Sequence, residues 1–363
     1  MARLVVKLKQ HTPMIHFQHD QEKAALRGSD LKPRLDKFLI NERFKEFDNY
    51  KIYLKGYKIG KEKCDFEGKE ALDYKVNIKG IGNKRVEYIH KNFPLYFGNM
   101  GSDKKNEFVF YDSVEVEFFS LYKDLIKEIV SELPKFFMKN NFGVRQSKGF
   151  GSFFIDEKAE YFLDGKVYKF IDLNKVKGKN NKTIVNYMKN DNTWWGLFDG
   201  INKYYTRIRK GGRNTEPLIK KFFSEKDIVW EKDAIHKIYC NKNKKYNIEN
   251  VRVIKDLLGL STNEYWKTYG ITIEKEHISE NVENKITRFQ SPIFFKPIKV
   301  DNKKFNVYYE FREIPEEYLG QEFKITAWKN NKSKKKKEKQ LGELKIKTPS
   351  EFNMEEFLKF VKR

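Results

Sequence analysis

The distribution of apolar and polar residues divides the first 156 positions into strand and helix patterns. Alternation, which places every second side chain on one face, predicts strands at residues 3–10, 71–79, 107–119 and 152–155. Apolar residues three and four positions apart predict helices at residues 31–40 and 120–133. Pro134 predicts the end of the second helix, and Gly80-Ile-Gly-Asn83 predicts a turn. The resulting order of elements is β-α-β-β-α-β.

This order is that of the ferredoxin-like arrangement, so we predict an α+β protein with a ferredoxin-like domain at residues 1–156. Ser29 or Asp30 is expected to cap the first helix, because short polar side chains accept hydrogen bonds from its first N–H groups. In such a fold, the start of the first helix and the segment before the fourth strand can approach one another. We therefore expect these two segments to build one surface.

The pattern changes after residue 156, and we predict a second domain at residues 157–363. Asp164-Gly165 separates two strand-like stretches and predicts a hairpin. Residues 183–188 are predicted to be helical, and several amphipathic pieces follow them. Near the end of the chain, residues 350–361 predict a capped amphipathic helix. A helix-rich segment is thus expected between two strand-rich parts.

Charge is the strongest feature of the composition. The chain carries 74 Lys and Arg against 51 Asp and Glu, a formal net charge of +23. Such an excess favours attraction to a polyanion, although Lys-rich composition can also reflect an AT-rich genome. The lysine run Lys334–Lys337 is predicted to be a solvated loop, or alternatively a segment that touches RNA.

Two cysteines, Cys64 and Cys240, lie far apart and predict neither a disulfide framework nor a cysteine zinc site. This favours a reducing, cytoplasmic location. The first residues lack the apolar core of a signal peptide, and no run of about 18 apolar residues predicts a membrane span. We therefore predict no membrane association, no metal and no cofactor.

A glycine-rich stretch between the second helix and the fourth strand is the leading candidate for function. It reads Gly143-Val-Arg-Gln-Ser-Lys-Gly-Phe-Gly-Ser152. Glycines permit positive φ, and successive N–H groups in such a loop suit an anion. Arg145 and Lys148 add positive charge, and Phe150 is a candidate for stacking on a base. Together with Gly143, Gly149 and Gly151, these residues predict a phosphodiester site; a mobile surface turn is the alternative.

Cations near the first helix form a second candidate group. Lys32 and Arg34 stand near the helix start, where the helix dipole disfavours positive charge, and Arg27 precedes it. An approaching anion would explain this placement, whereas a solvated face is the alternative. A third group follows Trp194, whose segment ends in Arg207, Arg209 and Arg213. Its aromatic residues are candidates for core packing or for stacking on bases.

Three histidines, His11, His16 and His19, cluster in the first loop. Histidine is a common general acid and base, but these residues are equally candidates for RNA contact or for plain structural roles. His16-x-x-His19 has the spacing of two metal ligands, but no second ligand pair accompanies it, so we predict no metal site.

These motifs resemble those of the RAMP superfamily of CRISPR-associated proteins, and more narrowly the first RAMP subunit of type III-B Cmr effector complexes. The resemblance rests on the glycine-rich stretch, on Leu8-Lys-Gln-His-Thr-Pro-Met14, on Leu26-Arg-Gly28 and on Ser291-Pro-Ile-Phe-Phe-Lys296. It implies two ferredoxin-like RAMP domains, the second one degenerate. It also implies a cytoplasmic ribonucleoprotein in antiviral defence, with CRISPR RNA, target RNA and other type III Cas subunits as partners.

Such subunits generally do not cleave the target, so the resemblance favours a non-catalytic protein that contacts guide RNA, or the guide–target duplex, near the 3′ end. The alternative is a metal-independent RAMP endoribonuclease that processes CRISPR precursor RNA, with His11, His16 or His19 as the catalytic residue. Processing enzymes usually carry the glycine loop near the C-terminus, whereas here it lies mid-chain. A basic scaffold without a nucleic-acid role is a third hypothesis.

Overall fold

The computed structural model divides into two compact units, Met1–Gly200 with Phe295–Tyr309 and Ile201–Phe294 with Glu310–Arg363. It describes all residues except 1, 15–25, 89–106, 144, 157–159, 164, 170–181, 187–193, 213–214, 241–245, 267–268, 280–284, 302–303, 331–336 and 363. The predicted sites His16, His19 and Arg213 lie outside the described residues, as does the lysine run up to residue 336.

The first half of the chain contains most of the elements that the sequence pattern predicts. In order, its helices and strands are β1 (Ala2–Gln10), α1 (Gly28–Phe38), α2 (Phe47–Tyr50), β2 (Lys75–Tyr88), β3 (Glu107–Ser120), α3 (Lys123–Lys139), β4 (Phe153–Ile155), β5 (Glu160–Leu163), β6 (Lys166–Lys169) and β7 (Lys182–Asn186). A π-helical turn, Leu39–Phe44, continues α1, and a 3₁₀ turn, Gln146–Lys148, lies in the glycine-rich loop.

The second half alternates short helices with longer strands. They are α4 (Trp194–Arg209), α5 (Leu218–Ser224), β8 (Val229–Trp230), α6 (Glu231–Ile235), β9 (Val251–Arg252), β10 (Asn263–Trp266), β11 (Ile271–His277), β12 (Ile293–Asp301), β13 (Lys304–Phe311), β14 (Glu322–Asn330), β15 (Lys337–Lys347) and α7 (Met354–Val361). A π-helical turn, His236–Cys240, follows α6. None of the helices in the described part of the chain is long and apolar enough to cross a membrane.

The main sheet of the first unit has the order β2-β3-β1-β5-β6, and β4 also pairs with β1. Its pairs are antiparallel, and β4 and β5 meet different parts of β1. Leu4, Val6 and Leu8 of β1 are buried in one cluster with apolar residues of α1 and α3, whereas Lys7 and Lys9 are exposed. The predicted alternation of β1 therefore places one sheet face against the helices.

Three local predictions for the first unit are wrong. The turn predicted at Gly80–Asn83 lies inside β2, where the register shifts between Ile81 and Lys84 and forms a bulge. The second helix does not end at Pro134 but continues to Lys139. Burial of Phe136, Phe137 and Met138 stabilises this last part of α3 and offsets the lost N–H of the proline. Arg27, rather than Ser29 or Asp30, is the residue at the N-cap of α1.

The segment after residue 156 also differs from its prediction. The hairpin around Gly165 is confirmed, but its strands β5 and β6 extend the sheet of β1. Residues 183–188 were predicted to be helical, whereas Lys182–Asn186 is strand β7 and pairs with β13. Thr183, Ile184 and Val185 belong to the β-branched residue types, which favour strand over helix.

The second unit has its own antiparallel sheet, β10-β11-β14-β15, and the short parallel pair β8-β9. The predicted C-terminal helix is confirmed as α7, and the Asn353 side chain caps it by accepting a hydrogen bond from Glu356 N at 2.9 Å. The unit buries charge as well as apolar residues. Three cations, Arg209, Lys255 and Lys275, form ion pairs with the three carboxylates of Glu231, Asp256 and Glu264.

Candidate nucleic-acid interface

The glycine-rich loop of the first unit is closed by backbone hydrogen bonds at its ends. Phe142 N donates to Gly151 O at 2.9 Å, and Gly151 N donates to Pro13 O at 2.8 Å. Gly151 has φ +65°, and a Cβ at this position would lie 1.8 Å from Phe142 O. The loop therefore requires glycine here for its backbone conformation and for the close approach of Phe142.

Thr12, just after β1, is hydrogen-bonded to the loop. Its buried hydroxyl donates to Gly149 O at 2.7 Å and accepts from Ser152 N at 2.9 Å. The neighbouring His11 N donates to Ser152 O at 2.8 Å. One threonine hydroxyl thus satisfies a buried carbonyl and a buried N–H and joins the segment after β1 to the glycine-rich loop.

Arg34 joins α1 to the same loop, so the predicted proximity of the two basic segments is observed. Its Nη1 donates to Asn141 O at 2.8 Å and to the side-chain oxygen of Gln146. The guanidinium carbon lies 5.5 Å from the ring centroid of Phe142. Both hydrogen bonds use Nη1, and a guanidinium carries three further N–H groups on Nε and Nη2.

Lys296 of β12 is the loop contact that the sequence did not predict. Its buried ammonium donates to Asn140 O at 2.8 Å, to Phe153 O at 2.9 Å and to Asn141 Oδ1 at 3.1 Å. Burial lowers the pKa of Lys296, whereas three acceptors match the three protons of the charged form. The residue ends the Ser291–Lys296 motif, but the motif by itself does not indicate which side chain is buried.

The remaining loop cations are half-buried. Arg145 adopts the left-handed conformation, with φ 58° and ψ 33°, immediately before the 3₁₀ turn of the loop. The ammonium of Lys148 lies 6.0 Å from the ring centroid of Phe295. At the start of α1, Arg27 is half-buried. We call Arg27, Arg34 and Arg145 the loop face.

The expected cradle of N–H groups is not formed by Gly149 and Gly151, because both N–H groups are donated within the protein. Gly149 N bonds to Gln146 O at 3.0 Å, and Gly151 N bonds to Pro13 O. Phe150 is fully buried and stacks on Phe198 with centroids 4.0 Å apart, so its ring is not accessible to a base. The loop glycines therefore shape the backbone and allow Phe150 to enter the core.

Two further predicted contacts also have partners inside the protein. Lys32 donates to Asp36 Oδ2 at 2.7 Å and to Leu72 O at 2.8 Å, and its ammonium lies 4.2 Å from the ring centroid of Tyr74. In the second unit, Arg209 donates to Gly259 O at 2.6 Å as part of the buried ion cluster. Arg207 is exposed, and Gly143 is half-buried with φ +79°.

His11 is buried, and its ring is fixed by a hydrogen bond that Lys299 N donates to its Nδ1 at 2.9 Å. Burial, followed by the charges of Lys296, Lys9 and Lys299, lowers its pKa to about 3. His11 is therefore neutral and inaccessible at physiological pH. Among the described residues, no group of three His, Cys, Asp or Glu side chains is placed to hold a metal ion.

Comparison with known proteins gives the family and two similar structures. Residues 1–212 match the Cmr1 N-terminal domain, and residues 214–363 match the Cmr1 C-terminal domain. The crystal structure of Cmr1 from Pyrococcus furiosus in its apo form has 11% identity and a TM-score of 0.41, over 86% of this chain and 89% of that chain. Comparison with curated proteins finds no match.

A second similar structure is a chain in the cryo-EM structure of the type III-B Cmr-beta bound to cognate target RNA. It has 12% identity and a TM-score of 0.30, and the match covers 47% of this chain. The match spans 61% of that chain, less than two thirds of its length.

Replacing Thr12 tests how the loop is held. Thr12→Val keeps the shape of the side chain but leaves Gly149 O and Ser152 N buried without a partner, so we expect a loss of about 2–4 kcal/mol in the free energy of unfolding. Thr12→Ser keeps the hydroxyl and is expected to lose about 1 kcal/mol, because it removes one buried methyl group. Urea denaturation measures both, and equal losses would show that the hydroxyl is not what holds the loop.

Replacing Gly151 tests the close approach to Phe142. Gly151→Ala places a methyl group 1.8 Å from Phe142 O, which forces a backbone shift. Gly165→Ala is the matched control in the same unit, because Gly165 has φ +76° and open space around its Cβ position. The control is expected to lose about 1 kcal/mol in the free energy of unfolding because of the unfavourable φ. Gly151→Ala is expected to lose about 3 kcal/mol or more. Thermal denaturation of both variants compares the losses.

The lowered pKa of His11 predicts that the protein loses stability in acid. The unfolded chain protonates this histidine near pH 6.5, whereas the folded chain does so only at about pH 3. The unfolded state therefore takes up the proton first, and stability decreases from pH 6.5 towards pH 3, on the order of 3 kcal/mol at pH 4. His11→Asn keeps an acceptor near the Nδ1 position and removes the titration. Urea denaturation between pH 7 and 4 should give a shallower pH dependence for this variant.

Proposed function

Because this chain belongs to the Cmr1 family, we propose that it is a non-catalytic RNA-binding subunit of a type III CRISPR effector complex. The formal net charge of +23 supports an RNA partner, since a polyanion gains most from such an excess. In the proposed complex the protein contacts guide RNA, or the guide–target duplex, near the 3′ end. Its partners are CRISPR RNA, target RNA and other type III Cas subunits, in the cytoplasm and in antiviral defence.

The observation that carries this proposal is the rigid attachment of the loop to α1 by Arg34. Nη1 of Arg34 bonds to two acceptors of the loop, which orients the guanidinium. No residue in the described part of the chain accepts a hydrogen bond from Nε or Nη2, and these groups are proposed to donate to an anion. Arginine suits phosphate because its planar group can donate two parallel hydrogen bonds. We therefore propose that RNA phosphates bind at the loop face, and that exposed Arg207 adds a contact in the second unit.

We further propose that residues 1–156 form a ferredoxin-like RAMP domain and that residues 157–363 contain a second, degenerate one. The strand order β2-β3-β1-β4 and the sequence β-α-β-β-α-β support the first assignment. Bases would then be read by other parts of the complex, because contacts to phosphates position an RNA but carry no sequence information.

The loop face is tested by removing two of its charges. Arg27→Gln with Arg145→Asn keeps Arg34 in place, and asparagine tolerates the left-handed conformation at position 145. We expect weaker binding to RNAs of any sequence. The slope of log K against log salt is expected to fall by about 0.7–0.9 for each lost phosphate contact. Fluorescence anisotropy of the full chain with labelled RNA at several salt concentrations measures both quantities.

Lys58→Gln with Lys69→Gln is the matched control, since both lysines are exposed and the variant loses the same two charges. Equal salt slopes for the loop-face and control variants would remove the loop face from the proposal. Site-specific cleavage of repeat RNA in the same incubations, without metal, would contradict the non-catalytic role.

A further inference from the structure

An exposed aromatic and basic surface lies in the second unit, in parts of the chain that the proposed function does not use. Tyr269 follows β10 and is 41% exposed. One face of its ring lies against His236, with centroids 4.4 Å apart and planes at 38°. His236 begins the π-helical turn after α6 and is half-buried. The exposed Tyr269 ring thus packs on the half-buried His236 ring.

The buried Trp266 contacts Tyr269 through its ring and its backbone. Tyr269 meets Trp266 edge-on, with centroids 6.4 Å apart, and Tyr269 N donates to Trp266 O at 3.0 Å. Trp266 Nε1 in turn donates to Glu264 Oε2 at 3.3 Å. Gly270 N also donates to Trp266 O, and Asn330 N donates to Gly270 O. The exposed ring is therefore fixed before any ligand binds, which reduces the entropy lost on binding.

Two lysines lie near His236 in the chain: Lys232 is on α6, and Lys237 follows His236 directly. The ammonium of Lys232 lies 5.3 Å from the ring centroid of Trp266 and 5.5 Å from that of Trp230. Lys237 is exposed, and its ammonium lies 4.9 Å from the ring centroid of Tyr246. Burial lowers the pKa of Lys210, and the charges of Arg209 and Lys232 lower it further. Lys210 therefore lies near Lys232. The surface thus combines an accessible ring with several positive charges.

The nearby carboxylates do not neutralise this surface, because they are engaged in the buried ion cluster. Glu231, Asp256 and Glu264 form ion pairs with Arg209, Lys255 and Lys275. Asp233, on α6 itself, pairs with Lys220 at 2.8 Å. The charges of Lys232 and Lys237 therefore remain available to an anionic ligand.

We propose that Tyr269, His236, Lys232 and Lys237, which we call the Tyr269 platform, bind an unpaired nucleotide of single-stranded RNA. A base stacks on the accessible side of the Tyr269 ring, and the lysines meet the flanking phosphates. Stacking needs an exposed base face, so the ligand is single-stranded rather than duplex RNA. This inference rests on the proposed function and adds a contact in the second unit that binds an unpaired base without distinguishing its identity.

The test is fluorescence anisotropy of the full chain with a labelled single-stranded oligouridine and with an RNA duplex of equal length. Tyr269→Ala is expected to weaken binding of the single strand about tenfold and to leave binding of the duplex unchanged. Tyr269→Phe keeps the ring and is expected to stay within about twofold of the wild type. Lys237→Gln should lower the salt slope by about 0.7, whereas Tyr269→Ala should leave it unchanged. Circular dichroism and thermal denaturation confirm that each variant folds.

The outcomes separate this inference from the proposed function. Wild-type affinity of a folded Tyr269→Ala variant for the single strand overturns the Tyr269 platform, even where the Arg27→Gln, Arg145→Asn variant still loses affinity. Absence of any RNA binding by the wild type overturns both. Association with another protein that is lost in Tyr269→Ala, with RNA affinity unchanged, identifies the surface as a protein contact instead. Photo-crosslinking of 4-thiouridine RNA to the peptide that contains Tyr269 supports the platform directly.

Discussion

The buried ammonium of Lys296 is the contact on which the geometry of the glycine-rich loop depends. It donates to the backbone at Asn140 and Phe153 and to the side chain of Asn141, so one group joins the end of α3 to the start of β4. A buried charge is unfavourable unless hydrogen bonds replace its water. Three protein oxygens together replace that water. A shift of the loop that breaks one of these hydrogen bonds would therefore make the buried charge less favourable and destabilise the folded state.

The second unit buries positive charge in a different way. Lys275 is buried with the carboxylates of Glu231, Asp256 and Glu264 around it. Burial opposes its charge, but the three carboxylates together raise its pKa. Burial also disfavours the charged form of Glu231 and raises the pKa of this carboxyl to about 7. Such a cluster favours one arrangement of β10 and β11, because loss of any member leaves an unpaired charge in the interior.

The basic residues of the chain thus fall into two classes, those with partners inside the protein and those exposed to solvent. Lys296, Lys275 and Arg209 support the fold, since their partners lie inside the protein. Arg207 and Lys237 are exposed and are free to interact with an external anion. Net charge therefore indicates a polyanionic partner, but it does not identify which cations meet that partner. The half-buried Arg34 belongs to both classes, because it fixes the loop through Nη1 and retains further donors.

The sequence alone determined most of the local elements of the first 156 residues and their order. Alternation placed β1 and β3, helical spacing placed α1 and most of α3, and the motif around Gly143–Ser152 indicated the family. These signals are local, because side-chain direction repeats every two residues in a strand and about every 3.6 in a helix. The proximity of Arg34 to the loop also followed, since it depends on topology alone.

Tertiary structure decided which of the predicted site residues are accessible. Aromatic and basic residues such as Phe150, Lys32 and Arg209 are typical of nucleic-acid sites. Each of these three, however, contacts a partner inside the protein. Lys296 contacts Asn141, 155 positions away in the chain, and Tyr269 contacts His236, 33 positions away. Burial and long-range pairing depend on how distant segments pack, and no periodicity within a single segment records that packing.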